Sequence, residues 1–244
     1  MSTKRLLFDA GNTRLKWAVV EDGVWRQQGS ADYTDLSALS SVLTTTTECH
    51  IASVARSQQE IQINTVLAPF AIVPKWLKSE ARFSGVSNRY TNPQQLGVDR
   101  WMSLVAARQR THAPTLVVSV GTAMTVDALS ADGEFLGGLI VPGLAMMKQA
   151  LQQGTAQVSE VAGSWQTFPC NTADAVQSGV VAALCGAIRL QQARLSTLAG
   201  SEPTCFLTGG DAEKLLPHLD MPAEYVPALV LEGIDCVARK DETG

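Results

Sequence analysis

Two stretches of the chain repeat one pattern of apolar and polar positions. The first starts at Leu6 and reads LLFDAGNTRLKWAVVEDGVW; the second starts at Leu116 and reads LVVSVGTAMTVDALSADGEF. Each contains an apolar segment, a small polar turn with a glycine (Gly11 or Gly121), an alternating segment and an Asp-Gly pair. Because Asp-Gly between alternating apolar segments is a strong hairpin signal, each stretch predicts a meander of three strands.

The segments that follow the two meanders share one outline. After the first, the pattern predicts helices in DYTDLSALSSVL, QQEIQINTVLA and NPQQLGVDRWMSLVAARQR and strands in CHIASVA and FAIVPKW. After the second, it predicts helices in GLAMMKQALQQG, NTADAVQSGVVAALCGAIRLQQARLSTLAG, DAEKLLPHL and ALVLEGIDCVARK and a strand in TCFLTGG. The order predicts an α/β protein of two similar halves, residues 1–113 and 114–244, with a cleft between them. One large sheet that contains both hairpins is the alternative.

Composition narrows the classes of partner. The 244 residues are 45% hydrophobic, which is enough for a substantial core, and the net charge is −4. Without a Lys/Arg cluster, nucleic acid is not an expected partner. Five cysteines without a CxxC pair indicate free thiols in a reducing compartment. The apolar run after MSTKR is too short for a signal peptide, and no segment approaches about 20 apolar residues, so we expect a cytoplasmic protein without a membrane partner.

The turn after the first strand has the chemistry of an anion site. Glycine and small polar residues present backbone N–H groups to one point, and Lys16 can add a positive charge. Asp9 suits a magnesium ion or its waters better than direct contact with phosphate. Gly121, Thr122 and Thr125 would form the second half of a nucleotide-phosphate site. The alternative is that Asp9 only caps a turn.

Five motifs, in this order, resemble those of type III pantothenate kinases. They are DAGNTRLKW, YTNPQQLGVDRW, VGTAMTVD, NTADAVQSG and FLTGGDA, and they extend from Asp9 to Asp211. That family belongs to the superfamily of acetate and sugar kinases, Hsp70 and actin. The resemblance implies two ribonuclease-H-like domains of the actin-like ATPase fold with a nucleotide cleft between them. It also implies transfer of the γ-phosphate of ATP to the 4′-hydroxyl of pantothenate, the first step of coenzyme A biosynthesis.

The resemblance further implies cofactors, an oligomeric state and site residues. ATP would come with Mg²⁺, and the enzyme would be a homodimer that depends on K⁺ or NH₄⁺. The implied ATP contacts are Asp9, Ala10, Gly11, Asn12, Thr13, Arg14, Leu15, Lys16 and Thr122. The implied pantothenate contacts are Tyr90, Gly97, Val98, Asp99, Arg100 and Thr172. Asp99 would be the catalytic base, and Gly209 and Gly210 would lie near the adenosine.

One position departs from the family pattern. Ser119 stands where the family commonly has an Asp that is associated with the monovalent cation. Because a hydroxyl is a poorer cation ligand than a carboxylate, either the dependence on K⁺ is weakened or carbonyl groups hold the ion. No residue is therefore assigned with certainty to a metal, although Asp9 is a candidate for Mg²⁺.

Other interpretations of these residues stay open. Asp99 and Arg100 could be surface residues of an amphipathic helix, Tyr90 could be a packing aromatic, and Thr172 could be a helix N-cap. In the first turn of a helix Asp99 and Arg100 would point about 100° apart, and the group that Arg100 meets is not decided. A kinase for a sugar or a carboxylate, and an ATP-binding regulator without transferase activity, are the rival functions.

Overall fold

The computed structural model describes residues 4–155 and 162–241, and for Asp241 the backbone alone. The strands are β1 (Lys4–Ala10), β2 (Leu15–Glu21), β3 (Val24–Ala31), β4 (Glu48–Ser53), β5 (Lys75–Trp76), β6 (Arg82–Phe83), β7 (Val86–Asn88), β8 (Thr115–Val120), β9 (Ala123–Leu129), β10 (Glu134–Pro142), β11 (Thr204–Thr208) and β12 (Glu224–Tyr225). The α-helices are α1 (Ser40–Leu43), α2 (Ser57–Leu67), α3 (Val98–Arg110), α4 (Leu144–Gly154), α5 (Thr172–Ala199), α6 (Ala212–Leu215) and α7 (Leu229–Asp241).

The chain forms two compact units. One consists of Met1–Arg110 and Ala228–Gly244, and the other of Thr111–Pro227. The predicted division at residues 113 and 114 had assigned the final helix to the second half. In the structure α7 packs against α3, β1, β2 and β4, so this helix lies in the first unit.

The first unit is built on a sheet with the strand order β3-β2-β1-β4-β5. β1, β2 and β3 are antiparallel, whereas β4 is parallel to β1 and β5 is parallel to β4. Alternate residues of β1, including Leu6 and Phe8, pack into a core with residues of α1 and α2. α7 covers the other face, where Arg5 of β1 lies 4.0 Å from the carboxylate of Asp235. This second face also carries Asp9 at the end of β1.

The second unit repeats this arrangement. Its strands follow the order β10-β9-β8-β11-β12, with β8, β9 and β10 antiparallel and β11 and β12 parallel to β8 and to each other. Residues of β8 and β9 form its core together with residues of α5 and α6. The two meanders therefore lie in two sheets, not in one. The predicted fold class, an α/β protein with two ribonuclease-H-like halves, is confirmed.

The two meanders differ in detail although their glycines keep the same spacing. In the first, Asp22 and Gly23 have φ of 51° and 78° and form a two-residue turn. In the second, Ser130 pairs with Glu134, so the turn has one residue more. The polar loop between the first two strands is one residue shorter in the second meander, which offsets its longer turn. Ala10 pairs with Leu15 in the first meander, whereas Val120 pairs with Met124 in the second.

Some predicted elements are shorter than their patterns indicated. The helix predicted from Asn92 is a 3-10 helix at Pro93–Gln95, and α3 begins only at Val98. The helix predicted in DYTDLSALSSVL is a 3-10 turn followed by α1, and the strand in FAIVPKW is reduced to β5. Asn92 still caps, but its side chain accepts from the N–H of Gln94 in the 3-10 helix.

The sequence analysis expected no apolar segment of membrane-spanning length, but α5 is long and apolar. Among the described residues it is the one helix with the length and mean hydropathy that could cross a membrane, and core helices of soluble proteins satisfy the same criteria. Val180, Leu184 and Ile188 of this helix are buried in the core of the second unit. Packing against β8 and β9 accounts for these apolar positions.

Candidate active site

The first glycine loop joins β1 to β2. The N–H of Gly11 donates to the carbonyl of Arg14 at 3.3 Å, which closes the loop, and residues 12–14 are exposed. The flanking side chains of Ala10 and Leu15 are fully buried in the core, so these two predicted ATP contacts can act only through their backbones. Lys16 is the cross-strand partner of Asp9 at the base of the loop.

Three carbonyl groups, two in this loop and one on Ala10 just before it, accept hydrogen bonds from other segments of the chain. The N–H of Val54 donates to the carbonyl of Ala10 at 3.0 Å. The hydroxyl of Tyr33 donates to the carbonyl of Gly11 at 2.7 Å, and Nε2 of Gln59 donates to the carbonyl of Asn12 at 2.8 Å. Sequence reasoning missed Tyr33 and Gln59, because nothing local links them to a loop 22 and 47 residues away.

Two carboxylates of the first unit interact across this site. Burial raises the pKa of Asp9 to about 6; the charge of Lys16 opposes this shift, and that of Asp99 adds to it. Burial also raises the pKa of Asp99, against the N–H and the charge of Arg100. Two carboxylates that repel each other suit a divalent cation, so Asp9 fits a role in holding Mg²⁺ or its waters. The described residues contain no group of three or more His, Cys, Asp or Glu placed to hold a metal ion.

The segment before α3 is held by side-chain hydrogen bonds to the backbone. The side-chain oxygen Oδ1 of Asn88 accepts from the N–H of Tyr90 at 3.0 Å, and the side-chain amide Nδ2 of Asn88 donates to the carbonyl of Pro93 at 3.2 Å. Buried Ser79 donates to the carbonyl of Leu96 at 2.8 Å. Nη1 of Arg100 donates to the hydroxyl of Tyr90 at 3.3 Å, which brings two predicted pantothenate contacts together. Val98 is buried, so its side chain is part of the packing.

The absence of a side chain at Gly97 leaves space for the carboxylate of Asp99. A Cβ at Gly97 would lie 2.7 Å from Oδ1 of Asp99, closer than real Cβ contacts. The residue before α3 therefore leaves room for the Asp99 carboxylate in the first turn of the helix.

We expect Gly97→Ala to lower kcat about tenfold or more while the fold persists, because the small flexible carboxylate moves more easily than the backbone. Circular dichroism and steady-state kinetics with ATP and pantothenate check this. The matched control is Gly186→Ala, since a Cβ there meets nothing within 4 Å. An unchanged kcat for Gly97→Ala would show that the position of Asp99 does not depend on Gly97.

The second glycine loop, which joins β8 to β9, lies in close contact with backbone atoms of other segments of the second unit. The N–H of Gly121 donates to the carbonyl of Ala123 at 3.0 Å, and the N–H of Gly143 donates to that of Thr122 at 2.9 Å. A Cβ at Gly143 would lie 2.0 Å from the carbonyl oxygen of Gly121. Gly209, with φ of 98°, leaves no room for a Cβ beside the carbonyl of Val120. The loop that carries Thr122 is therefore fixed by glycines from two other segments.

The remaining predicted residues also lie in the second unit. Thr172 is the exposed first residue of α5, and the N-cap is Asn171, whose side chain accepts from the N–H of Asp174. Thr172 is thus not itself the cap. Ser119 lies next to the end of β8, paired with Thr125 on β9, and Asp127 is buried two residues further along β9.

Comparison with known proteins agrees with this geometry. The fold is similar to that of a solved structure of a proposed 2-dehydro-3-deoxygalactonokinase from Sinorhizobium meliloti, with a TM-score of 0.62, 13% identity, and 97% of this chain and 99% of that chain covered. The two repeated units thus define a protein of the sugar kinase and actin-like ATPase fold class.

The family follows from sequence similarity. Residues 5–194 match the model of the type III pantothenate kinase family. The chain is 59% identical to a type III pantothenate kinase of Thiobacillus denitrificans over the full length of both, and 42% identical to one of Chromobacterium violaceum over 96% of this chain and 99% of the relative. This chain belongs to the type III pantothenate kinase family.

Proposed function

We propose that this chain transfers the γ-phosphate of ATP to the 4′-hydroxyl of pantothenate, with Asp99 as general base. Family membership gives the reaction. One observation of the structure supports the site: Asp99 stands in the first turn of α3 and interacts electrostatically with Asp9, at the base of the first glycine loop. An acceptor for the proton of the alcohol and a candidate metal-binding carboxylate therefore lie in one region of the first unit.

Phosphoryl transfer requires mainly that the attacking hydroxyl and the phosphate are aligned and that the negative charge of the phosphates is neutralised. Backbone N–H groups of residues 12–14 bind phosphate oxygens, since the N–H of Gly11 already donates to the carbonyl of Arg14, and Lys16 supplies a positive charge. Asp9 would hold the Mg²⁺ that comes with ATP, or its waters, and the bound ion would neutralise phosphate charge. Asp99 accepts the proton of the attacking hydroxyl late in the transfer, and its raised pKa makes it a better proton acceptor than an ordinary aspartate. Thr122 in the second unit remains a predicted ATP contact.

Arg100 and Tyr90 are proposed to recognise pantothenate. Their hydrogen bond places a guanidinium and a phenol side by side. Arginine binds carboxylates through paired hydrogen bonds, so the carboxylate of pantothenate is the group that this pair suits best. Thr172 is kept as a further predicted contact.

The direct test is a coupled assay of ADP release with pantothenate and Mg²⁺-ATP, with phosphopantothenate identified by mass spectrometry. A panel of pantothenate, pantothenol, glucose and acetate separates this activity from that of a sugar or carboxylate kinase. Turnover only with a sugar or acetate would refute the proposed substrate. ATP binding without transfer to any acceptor would support a regulator instead.

Dependence on a monovalent cation is proposed to be weak because Ser119 offers a hydroxyl where the family commonly has a carboxylate. We expect Ser119→Asp to increase the ratio of activity in K⁺ to activity in Na⁺ about threefold or more, since a carboxylate binds a cation more strongly. Assays at constant ionic strength in K⁺, NH₄⁺ and Na⁺ measure this ratio, and Ser130→Asp is a control for added charge. An equally large ratio for the wild type would assign the ion to carbonyl groups.

The protein is further proposed to be a cytoplasmic homodimer. Met146 and Leu151 on α4, and Leu190 and Leu198 on α5, are large apolar side chains that are exposed in the single chain. Contiguous exposed apolar patches are typical of protein interfaces, so α4 and α5 are the candidate dimer surface. Light scattering coupled to size-exclusion chromatography measures the mass in solution directly.

A further inference from the structure

Two side chains outside the predicted motifs hold the first glycine loop by its carbonyl groups. Tyr33, which follows β3, contacts Gly11, and Gln59, in the first turn of α2, contacts Asn12. Both bonds are short enough to be well formed, at 2.7 and 2.8 Å. Tyr33 is buried, so its hydroxyl has a fixed approach to the loop.

The direction of these bonds has a consequence for the opposite side of the loop. In a trans peptide unit the C=O of one residue and the N–H of the next point in opposite directions, and the described residues contain no cis peptide bond. Fixing the carbonyl of Gly11 therefore fixes the N–H of Asn12, and fixing the carbonyl of Asn12 fixes the N–H of Thr13. Both N–H groups are aimed away from Tyr33 and Gln59.

We infer that Tyr33 and Gln59 are positioning residues for phosphate binding: they lock two successive peptide units so that the N–H groups of Asn12 and Thr13 are preorganised for the phosphates of ATP. This inference rests on the proposed role of the loop in binding ATP. Neither side chain touches the nucleotide in this arrangement; each acts through the backbone that it holds. A loop ordered before the nucleotide binds does not have to be ordered at that moment, which favours affinity.

Gln59 has a second role that allows the two functions to be separated. Its Oε1 accepts from the N–H of Arg56 at 2.7 Å, which caps α2, while its Nε2 holds the loop. A glutamate side chain at this position would retain the oxygen that caps the helix, as in a capping box, and would lose the donor to Asn12. Gln59→Glu therefore removes the support of the loop while the helix cap remains.

The experiment measures ATP binding by isothermal titration without pantothenate, and the two KM values where turnover is present. We expect Tyr33→Phe and Gln59→Glu each to raise the Kd and the KM for ATP about 3- to 10-fold, the scale of one lost hydrogen bond. The KM for pantothenate should stay within about twofold. Tyr225→Phe is the control for Tyr33→Phe, and Gln58→Glu places the same charge on the exposed neighbour of Gln59.

The outcomes are distinct. ATP affinity within about twofold of wild type for Tyr33→Phe, or equal losses for Gln59→Glu and Gln58→Glu, would overturn the inference. Equal increases of both KM values would indicate a general structural role and would also overturn it. A wild type that binds ATP but does not phosphorylate pantothenate would refute the proposed function, while the titrations with ATP would still decide the role of the two residues.

Discussion

Asp99→Asn is expected to lower kcat about 10²-fold or more, the usual scale for removal of a general base. The amide is nearly isosteric with the carboxylate, so its place in the first turn of α3 can be kept, but it cannot accept the proton of the attacking alcohol. Because the change acts on the chemical step, the Kd for ATP should change much less than kcat. Steady-state kinetics and a nucleotide titration on the same preparation measure both.

The pH dependence gives a second test of Asp99. A base must be ionised, and burial raises the pKa of Asp99 above its ordinary value. Wild-type kcat should therefore fall as the pH drops through that raised pKa, and this decrease should be absent from the residual activity of Asp99→Asn. Asp132→Asn, in an exposed turn, is the matched control. Turnover within a few-fold of wild type would exclude Asp99 as the base.

Asp9→Asn is expected to produce the other large loss, about 10²-fold in kcat/KM for ATP, because it removes the carboxylate that we propose holds Mg²⁺ or its waters. The loss should be larger at limiting Mg²⁺ than at saturating Mg²⁺. A titration of activity with Mg²⁺ at fixed ATP checks this, with Asp22→Asn in the hairpin turn as the control. Equal losses at all Mg²⁺ concentrations would contradict a role through the metal.

Asp9→Asn should also increase the free energy of unfolding of the protein when no ligand is bound. The pKa of Asp9 is 3.8 in the unfolded chain and about 6 in the folded one, so the folded state binds more protons between these values. The free energy of unfolding therefore falls as the pH rises from about 4 to 6. Above pH 6 the Asp9 carboxylate is ionised in the folded state, and its full destabilising effect is present. Asn carries no charge and avoids this cost, which is about 1 to 3 kcal/mol for such a shift in a partly buried group.

Thermal unfolding as a function of pH measures this effect. We expect Asp9→Asn to have a higher Tm than wild type at pH 7 to 8, and the difference should disappear near pH 4. A Tm that is lower at all pH values would show that the Asp9 carboxylate stabilises the fold. A stabilised but inactive variant would identify Asp9 as a residue retained for function at a cost in stability.

Much of the fold could be predicted because its signals are local. The alternation around Leu6 and Leu116, together with Asp22-Gly23 and Asp132-Gly133, predicted both meanders, and each formed. Side-chain alternation and turn chemistry act over a few residues, so they can be read without knowledge of the chain path. The start of α3 was misjudged because Asn92 and Pro93 are equally good residues for beginning a 3-10 helix.

For the candidate site, the sequence predicted the motifs but not the burial or the long-range contacts of their residues. The motif around Asp9 and the segment before Arg100 predicted the candidate chemistry and, through resemblance, the family. The buried positions of Ala10, Leu15 and Val98 could not be separated from their exposed neighbours within the motifs, because burial depends on which elements pack above a strand or helix. The interaction between Asp9 and Asp99 also needed the structure, since β1 and α3 are far apart in sequence.

By itself the sequence determined the two repeated halves, the glycine loops and the family to which the chain belongs. Tertiary structure alone decided that α7 packs in the first unit, that Gly97 leaves room for the carboxylate of Asp99, and that Tyr33 and Gln59 hold the first loop. The physical reason is the range of the interactions. Turns and periodic strands are set by neighbouring residues, whereas a hydrogen bond or a close approach between distant segments exists only once the chain has folded.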